Sequence, residues 1–242
     1  MKIHVLSDLH VEFERYVPVE TGADLIVLAG DIHTKNRGVE WANQMFNCPV
    51  IHILGNHELY GGHLDRTIEK MRLQAAPHVH ILECETFIAG DIRFLCATGW
   101  TDFTSTGNFA VASSVAREEM NDFRMIRCGQ GYRRIRPDDL IARNRATRAW
   151  LNEELNRSFA GKTVVVSHHA PIPQVIGYKH EGHLNAAYAN AWHDLLPLVD
   201  AWIFGHTHLA VDVVMGGCRL VSNPKGYPQE DTGFDPWKLI EI

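Results

Sequence analysis

Carboxylate, amide and imidazole side chains recur in five short segments of this 242-residue chain, each just after a run of apolar residues. These groups are nitrogen and oxygen donors that bind divalent transition metals, and histidine is the commonest of them. The chain carries 15 histidines. The five segments are Asp8-Leu9-His10, Gly30-Asp31, Gly55-Asn56-His57-Glu58, His168-His169 and Gly205-His206-Thr207-His208. One such segment alone is a poor indicator, but five in order predict a metal centre.

Two of the segments share a spacing that suits one ion. Asp8 and His10, like His206 and His208, are two residues apart. Residues i and i+2 of an extended chain point to the same side, so each pair can hold an ion together. In three of the five segments a glycine directly precedes the polar residue, which lets the backbone turn tightly beside an ion or a phosphate.

The apolar runs before these segments are predicted to be buried strands. Further strands are expected at 79–82 and 92–97, and short antiparallel strands in the tail 211–242. The strands before the five segments cover 2–7, 25–29, 50–54, 163–167 and 201–204. Helices are predicted at 38–46, 64–74, 137–159 and 185–198. Alternation of strands and helices indicates an α/β architecture with at least partly parallel strands, and ligands bind at the carboxyl ends of such strands.

The composition narrows the class of protein. The net charge is 23 − 29 = −6, which argues against a protein that coats nucleic acid through a basic surface. Five scattered cysteines, none at CxxC spacing, predict neither a disulfide framework nor a thiolate zinc site. No leader sequence and no membrane-spanning apolar run is recognised, so a cytoplasmic protein is expected. Without a linker or an internal repeat, residues 1–242 are predicted to form one domain.

The order DxH, GD, GNHE, HH and GHTH resembles the calcineurin-like metallophosphoesterases, and the resemblance extends from Asp8 to His208. It implies a four-layer αββα sandwich of the metallophosphoesterase type with a two-metal site. One ion would be held by Asp8, His10, Asp31 and His208. The other would be held by Asp31, Asn56, His168 and His206, with Asp31 bridging the two.

Donors of this kind suit two divalent or mixed-valence ions of Mn, Fe, Zn, Ni or Co, and manganese is the ion for a first test. Two divalent ions opposed by the carboxylates of Asp8 and Asp31 leave a charge of about +2 for a phosphate. The expected reaction is in-line attack by a metal-bound hydroxide on a phosphomonoester or phosphodiester of a small molecule or nucleotide. A catalytically silent binding scaffold, a protein phosphatase and a nuclease are the alternatives, and the oligomeric state is not predicted.

His57 and Asp31 are the predicted catalytic residues, Asp31 through the ions and His57 as a phosphate contact and possible general acid. The resemblance is imperfect beside His57. Family members often read GDxxD, where the second Asp can orient that histidine, but this chain has Thr34 at that place. The residues of this segment therefore favour a phosphate contact over leaving-group protonation as the role of His57.

Other polar residues are weaker candidates. His169 is expected in the core or behind the ligands, and Asn223 and Tyr227 are possible substrate contacts. Nine of the 16 arginines lie between 117 and 148; a solvated helix surface is favoured over a rim that holds further phosphates. We interpret four further histidines as loop residues without a substrate role, namely His33, His63, His180 and His183.

Overall fold

The computed structural model describes residues 1–177 and 182–242, and this part of the chain contains thirteen strands and five α-helices. The strands are β1 (Lys2–Leu6), β2 (Leu25–Ala29), β3 (Val50–Ile53), β4 (Val79–Leu82), β5 (Glu85–Ala89), β6 (Ile92–Ala97), β7 (Arg127–Cys128), β8 (Arg133–Arg134), β9 (Lys162–Ser167), β10 (Ala201–Phe204), β11 (Val211–Met215), β12 (Cys218–Ser222) and β13 (Leu239–Glu241). The helices are α1 (Arg37–Met45), α2 (Arg66–Gln74), α3 (Phe109–Glu119), α4 (Asp122–Met125) and α5 (Pro137–Asn156).

The fold is built from two large sheets. The first sheet has the order β13-β1-β2-β3-β4, in which β1 to β4 are parallel and β13 is antiparallel. The second sheet has the order β11-β12-β10-β9-β6-β5, with four parallel central strands and an antiparallel strand at each edge. A small ribbon of β7 and β8 stands apart. The predicted mixed α/β fold is therefore confirmed.

The two sheets pack face to face, because alternate side chains of their strands form one apolar cluster. Val5 and Val27 of the first sheet share this cluster with Phe94, Val164 and Ile203 of the second. All five side chains are fully buried. Since successive residues of a strand point to opposite faces, the intervening residues must be covered from outside.

Helices provide this cover on both outer faces. Leu28 of the first sheet packs with Val39 of α1 and Met71 of α2. Trp202 of the second sheet lies in a cluster with Leu151 of α5. Strands buried on both faces explain the continuous apolar runs in the sequence, and the layers follow the order helix, sheet, sheet, helix, as expected for the αββα sandwich.

One predicted helix is wrong. Residues 185–198 instead contain parts of two 3₁₀ segments, Gly182–Ala187 and His193–Leu198. Between them Ala189 makes a parallel bridge with Ala170, and the backbone N–H of Asn190 donates to the Ala170 carbonyl. These tertiary hydrogen bonds compete with helical ones, and Pro197 lacks the N–H that a continuing helix needs.

The sequence pattern also missed elements within 99–136. Helix α3 buries only Ala112 and Ala116, so it shows no stripe of large apolar residues. Helix α4 spans a single turn, too short for a periodic pattern. In the described part of the chain no helix is both long and apolar enough to cross a bilayer.

Candidate metal centre

The five polar segments meet at one edge of the sandwich, where parallel strands of both sheets end. Five of the seven predicted metal ligands have a left-handed backbone, although none is glycine. They are Asp8 (φ 48°), His10 (φ 44°), Asp31 (φ 56°), His206 (φ 68°) and His208 (φ 49°). A left-handed non-glycine residue costs about 1–3 kcal/mol and persists where surrounding structure enforces it, typically at functional sites.

A first group of donors consists of Asp8, His10 and His208, with one donor atom of each within 4.8 Å of the others. The Nε2 atoms of His10 and His208 lie 3.1 Å apart, and His208 Nε2 is 3.5 Å from Asp8 Oδ1. Behind the group, Glu230 Oε2 contacts His208 Nδ1 at 2.5 Å. A carboxylate at Nδ1 sets the imidazole tautomer and directs Nε2 inward, as behind many metal-binding histidines.

A second group consists of Asp31, His168 and His206, again within 4.8 Å. His168 Nδ1 is 2.8 Å from the Ala29 carbonyl, so Nδ1 carries the proton and Nε2 points to the centre. His168 Nε2 lies 3.4 Å from Asp31 Oδ2 and 3.1 Å from Asn56 Oδ1. His206 Nε2 is buried and has no hydrogen-bond partner among the described residues. A buried polar atom without a partner lowers the stability of the fold, and a metal ion bound to this nitrogen would supply the missing partner.

Asn56 is oriented by a buried carboxylate that sequence reasoning missed. Its Nδ2 donates to Asp122 Oδ1 and to Tyr60 Oη, both at 3.0 Å. Tyr60 Oη donates to the same Asp122 oxygen at 2.7 Å. The amide oxygen is thereby turned toward His168, the direction a metal ligand requires.

The last residue of the GNHE segment ties two ligand loops together. Glu58 is fully buried and accepts hydrogen bonds from the backbone N–H groups of Asp31 (3.0 Å), Ile32 (2.7 Å) and Gly55 (2.7 Å). Backbone amides of two loops thus converge on one carboxylate. This contact holds the Asp31 loop against the Asn56 loop.

His57 has a carboxylate partner, but it does not come from the expected segment. Glu12 Oε1 lies 2.8 Å from His57 Nδ1, whereas the Thr34 hydroxyl contacts the neighbouring His33. The other ring nitrogen, His57 Nε2, is 3.1 Å from Tyr227 Oη. Glu12 also lies 3.4 Å from His10 Nδ1, so His10, Glu12 and His57 form a third group with metal-ligand geometry.

Charges at the centre shift the pKa values of its members strongly. Burial would raise the pKa of the Asp31 carboxyl, but the His168 and His57 imidazoles hold it well below its usual value. Burial lowers the pKa of His57, yet Asp31 and Glu12 outweigh it and raise the pKa to about 9. Burial and neighbouring imidazoles keep the pKa of His206 well below normal. A neutral His206 offers a free lone pair to a cation.

The remaining candidates lie outside the two donor groups. His169 is buried behind the ligands, with its ring 4.3 Å from that of His206. Asn223 is a structural residue that donates to the carbonyls of Val5 and Asp235. His63 is buried and contacts the Gly129 carbonyl.

Two more loop histidines have local partners. The His33 ring contacts the backbone N–H of Thr34 at 2.7 Å. His183 Nδ1 is 3.0 Å from Thr106 Oγ1. His180 lies outside the described residues.

A cleft of about 200 Å³ opens onto the centre. Asp31, Asn56 and His206 contribute to its floor and walls, and Tyr227 also lines it. The Tyr227 ring lies 4.4 Å from that of His10, so this candidate substrate contact does border the donors.

Three outer carboxylates were not identified from the sequence. Glu12 could have been found, because Asp8, His10 and Glu12 repeat at intervals of two along one segment. Asp122 and Glu230 lie far from any recognised segment and carry no such signal. These three carboxylates and Glu58 add negative charge near the centre. The net positive charge that two bound ions would leave is therefore smaller than that expected from Asp8 and Asp31 alone.

Comparison with known proteins identifies one family. A sequence model described as calcineurin-like phosphoesterase matches residues 1–210. The uncharacterized protein L509 of Acanthamoeba polyphaga mimivirus is 24% identical over 212 residues, which are 80% of this chain and 73% of that protein.

Solved structures share the fold at low sequence identity. Phosphopantetheinyl hydrolase (PptH) of Mycobacterium tuberculosis aligns with a TM-score of 0.71 and 17% identity, over 94% of this chain and 90% of that one. A putative 5'-nucleotidase of Staphylococcus aureus aligns with a TM-score of 0.53 and 13% identity. That alignment covers 92% of this chain but only 48% of the nucleotidase.

Proposed function

The chain belongs to the calcineurin-like phosphoesterase family, and we propose from this premise that it is a dinuclear metal-dependent phosphoesterase. Its substrates would be phosphomonoesters or phosphodiesters of small molecules or nucleotides. The observation that carries the proposal is the convergence of two donor groups, Asp8/His10/His208 and Asp31/His168/His206, on one buried edge of the sandwich.

The residues present suit two transition-metal ions. Asp8, His10 and His208 would hold the first ion. Asp31, His168, His206 and the amide oxygen of Asn56 would hold the second. Nitrogen and oxygen donors without thiolate favour Mn, Fe, Zn, Ni or Co. Within the described residues Asp31 groups with the second set and not with the first, so its bridging of both ions is part of the proposal.

When bound, two such ions would neutralise phosphate charge and lower the pKa of a coordinated water molecule. The chain's own residues would orient the ester and donate a proton to the leaving oxygen. His57 is the proposed proton donor, because its ring lines the cleft and its Nδ1 is held by Glu12 Oε1 at 2.8 Å. A protonated imidazole at neutral pH can both contact a phosphate oxygen and give up a proton.

A small substrate is proposed from the size of the cleft. A volume of about 200 Å³ accommodates a phosphate group with a small organic part. Two proteins of similar fold are named as a phosphopantetheinyl hydrolase and a putative 5'-nucleotidase. These likenesses are under 20% identity and concern the fold, so they agree with the proposal without carrying it. The cytoplasmic location and the single domain over 1–242 stay predictions.

The test is hydrolysis of p-nitrophenyl phosphate and bis-p-nitrophenyl phosphate by metal-stripped protein reloaded with Mn²⁺. We expect activity to return with the metal, and the preferred ester to separate phosphatase from phosphodiesterase. Metal binding without turnover of either ester would favour a scaffold. Failure to bind two ions, measured by elemental analysis, would contradict the proposal.

A further inference from the structure

The carboxylate of Glu12 contacts the His57 ring and is the acidic partner that the second polar segment lacks. Glu12 follows His10 by two residues, and its side chain is 10% exposed, against 6% for His57. Its Oε1 is 2.8 Å from His57 Nδ1, a normal length for a charge-assisted hydrogen bond. Thr34, at the place where the resemblance leads one to expect an Asp, contacts His33 instead.

This contact decides which ring nitrogen faces the reaction. An ionised carboxylate can only accept a hydrogen bond, so His57 Nδ1 must carry the proton that it donates to Glu12, and this contact fixes the ring. His57 Nε2 is then the atom presented to the cleft, 4.0 Å from Asp31 Oδ2 and 3.1 Å from Tyr227 Oη. The ring cannot turn over without losing the Glu12 contact.

We propose that Glu12 is the positioning residue for His57, and that it replaces the missing carboxylate of the second segment; this rests on the proposed function. Hydrolysis forms a bond from a water oxygen to phosphorus and breaks the bond from phosphorus to the leaving oxygen. The leaving oxygen takes the proton from His57 Nε2. Of the two protons of the water, one stays on the phosphate product and the other restores His57.

The test compares Glu12→Gln with wild type on phenyl phosphate, a poor leaving group, and p-nitrophenyl phosphate, a good one. A lost proton donor matters most for the poor leaving group, so kcat should fall about 100-fold for phenyl phosphate and tenfold or less for p-nitrophenyl phosphate. KM and metal content should stay within twofold. Glu12→Asp should recover part of the loss, and Glu14→Gln, which removes an exposed partner of Lys225, serves as the matched control.

Two outcomes would overturn the role of Glu12. Equal losses on both substrates with full metal content would show that Glu12 only supports the local structure. Restoration of Glu12→Gln by excess Mn²⁺ would show that it acts through His10, which its Oε1 approaches at 3.4 Å. Absence of metal-dependent activity in wild type would instead defeat the proposed function, so the two failures are distinguishable.

A second, independent feature is a basin lined by arginines beside the α3–α4 connection. The cavity measures about 480 Å³, with the buried side chains of Phe123 and Ile135 among its lining residues. Five arginines complete the lining, namely Arg117, Arg124, Arg133, Arg134 and Arg136. Among the residues that the structure describes, no acidic one lines the basin, although the whole chain has a net charge of −6.

Most of these guanidinium groups have no carboxylate partner. Arg133 forms a bidentate pair with Asp139, at 2.7 and 2.8 Å. Across residues 1–177 and 182–242 no ion pair involves the other four. Elsewhere in the arginine-rich segment, Arg143 and Arg148 pair with Asp65 and Asp194.

We infer that the basin binds a small anion with two or more phosphate groups. Guanidinium groups match phosphate oxygens in bidentate fashion, and repulsion among like charges is relieved when such an anion binds. The α3–α4 connection that follows Arg117 also lines the metal-facing cleft through Met120 and Asn121. The basin therefore lies next to the cleft but uses different residues.

Inorganic tripolyphosphate is the probe, titrated calorimetrically into the protein at low salt in buffer freed of divalent ions. Arg134→Glu/Arg136→Glu should weaken binding about tenfold or more, since charge-assisted contacts are lost. Arg66→Glu/Arg145→Glu makes the same charge change at exposed arginines outside the basin and should change affinity less than twofold. Arg117→Glu on α3 gives a second test should the double variant misfold. No binding to wild type, or equal weakening in both double variants, would overturn the inference.

Discussion

Asp122 offers a sharp test of how the centre is built. It is 3% exposed, and one of its oxygens accepts from Asn56 Nδ2 and from Tyr60 Oη. A hydrogen bond to a charged group contributes about 1.5–3 kcal/mol, so two contribute about 3–6 kcal/mol. Burial raises the pKa of Asp122, which means that the fold holds this carboxylate at a cost that Asp122→Ala relieves. We therefore expect Asp122→Ala to lower the free energy of unfolding by about 2–4 kcal/mol.

The same substitution should weaken one metal site selectively. Without Asp122 the Asn56 amide keeps only its contact with Tyr60, which itself loses a partner, so the amide oxygen is held less firmly toward His168. Loss of such an outer partner typically costs 10–100-fold in metal affinity. Urea unfolding of metal-free protein followed by circular dichroism gives the stability, and calorimetric titration with Mn²⁺ gives the affinity of each site.

Asp122→Asn is the matched control, because its amide oxygen can still accept both hydrogen bonds. Neutral hydrogen bonds are about half as strong as charge-assisted ones, so intermediate losses are expected for both quantities. Unchanged Mn²⁺ affinity at both sites in Asp122→Ala would refute the reasoning that Asp122 orients a metal ligand. Equal weakening of the two sites would show a general disturbance instead.

Four further outcomes are expected. Asp31→Asn should abolish metal-dependent hydrolysis while circular dichroism shows a folded protein; near-full activity would defeat the bridging assignment. His57→Ala should keep its metal by elemental analysis and lose about 100-fold or more in kcat, whereas loss of metal would mean that this residue is a ligand. Glu58→Gln should cost about 2–3 kcal/mol in urea unfolding, because an amide oxygen cannot accept all three backbone N–H groups; an unchanged midpoint would argue against its role in joining the loops. Asp139, whose pKa the Arg133 hydrogen bond lowers to about 2, contributes stability that is present above its unfolded pKa of about 4 and is lost as the pH falls toward 2. Asp139→Ala should therefore be about 1 kcal/mol less stable at pH 7, and the difference should shrink between pH 4 and 2; a difference that stays constant with pH would contradict this.

The sequence alone predicted the α/β fold and the five polar segments, because both depend on residues that are neighbours along the chain. A strand buried on both faces needs a continuous apolar run, and the chain has to turn where that run ends. Polar residues at these turns, such as Asp31 after β2 and His206 after β10, therefore mark the active edge of a parallel sheet. The family assignment follows from the order of those turns and is confirmed by the match over residues 1–210.

Only the tertiary structure decided which groups stand behind the candidate ligands. Asp122 contacts Asn56 across 66 residues, and Glu12 contacts His57 across 45. A lone acidic residue in a weakly patterned segment carries no local sign of its partner, since the contact depends on how loops from separate strands are brought together. For the same reason the helix predicted at 185–198 was wrong: backbone hydrogen bonds to a distant segment, such as that from the Asn190 N–H to the Ala170 carbonyl, override local preference. The sequence determines which residues reach the edge of the sheet, and the packing of the two sheets determines which of them touch.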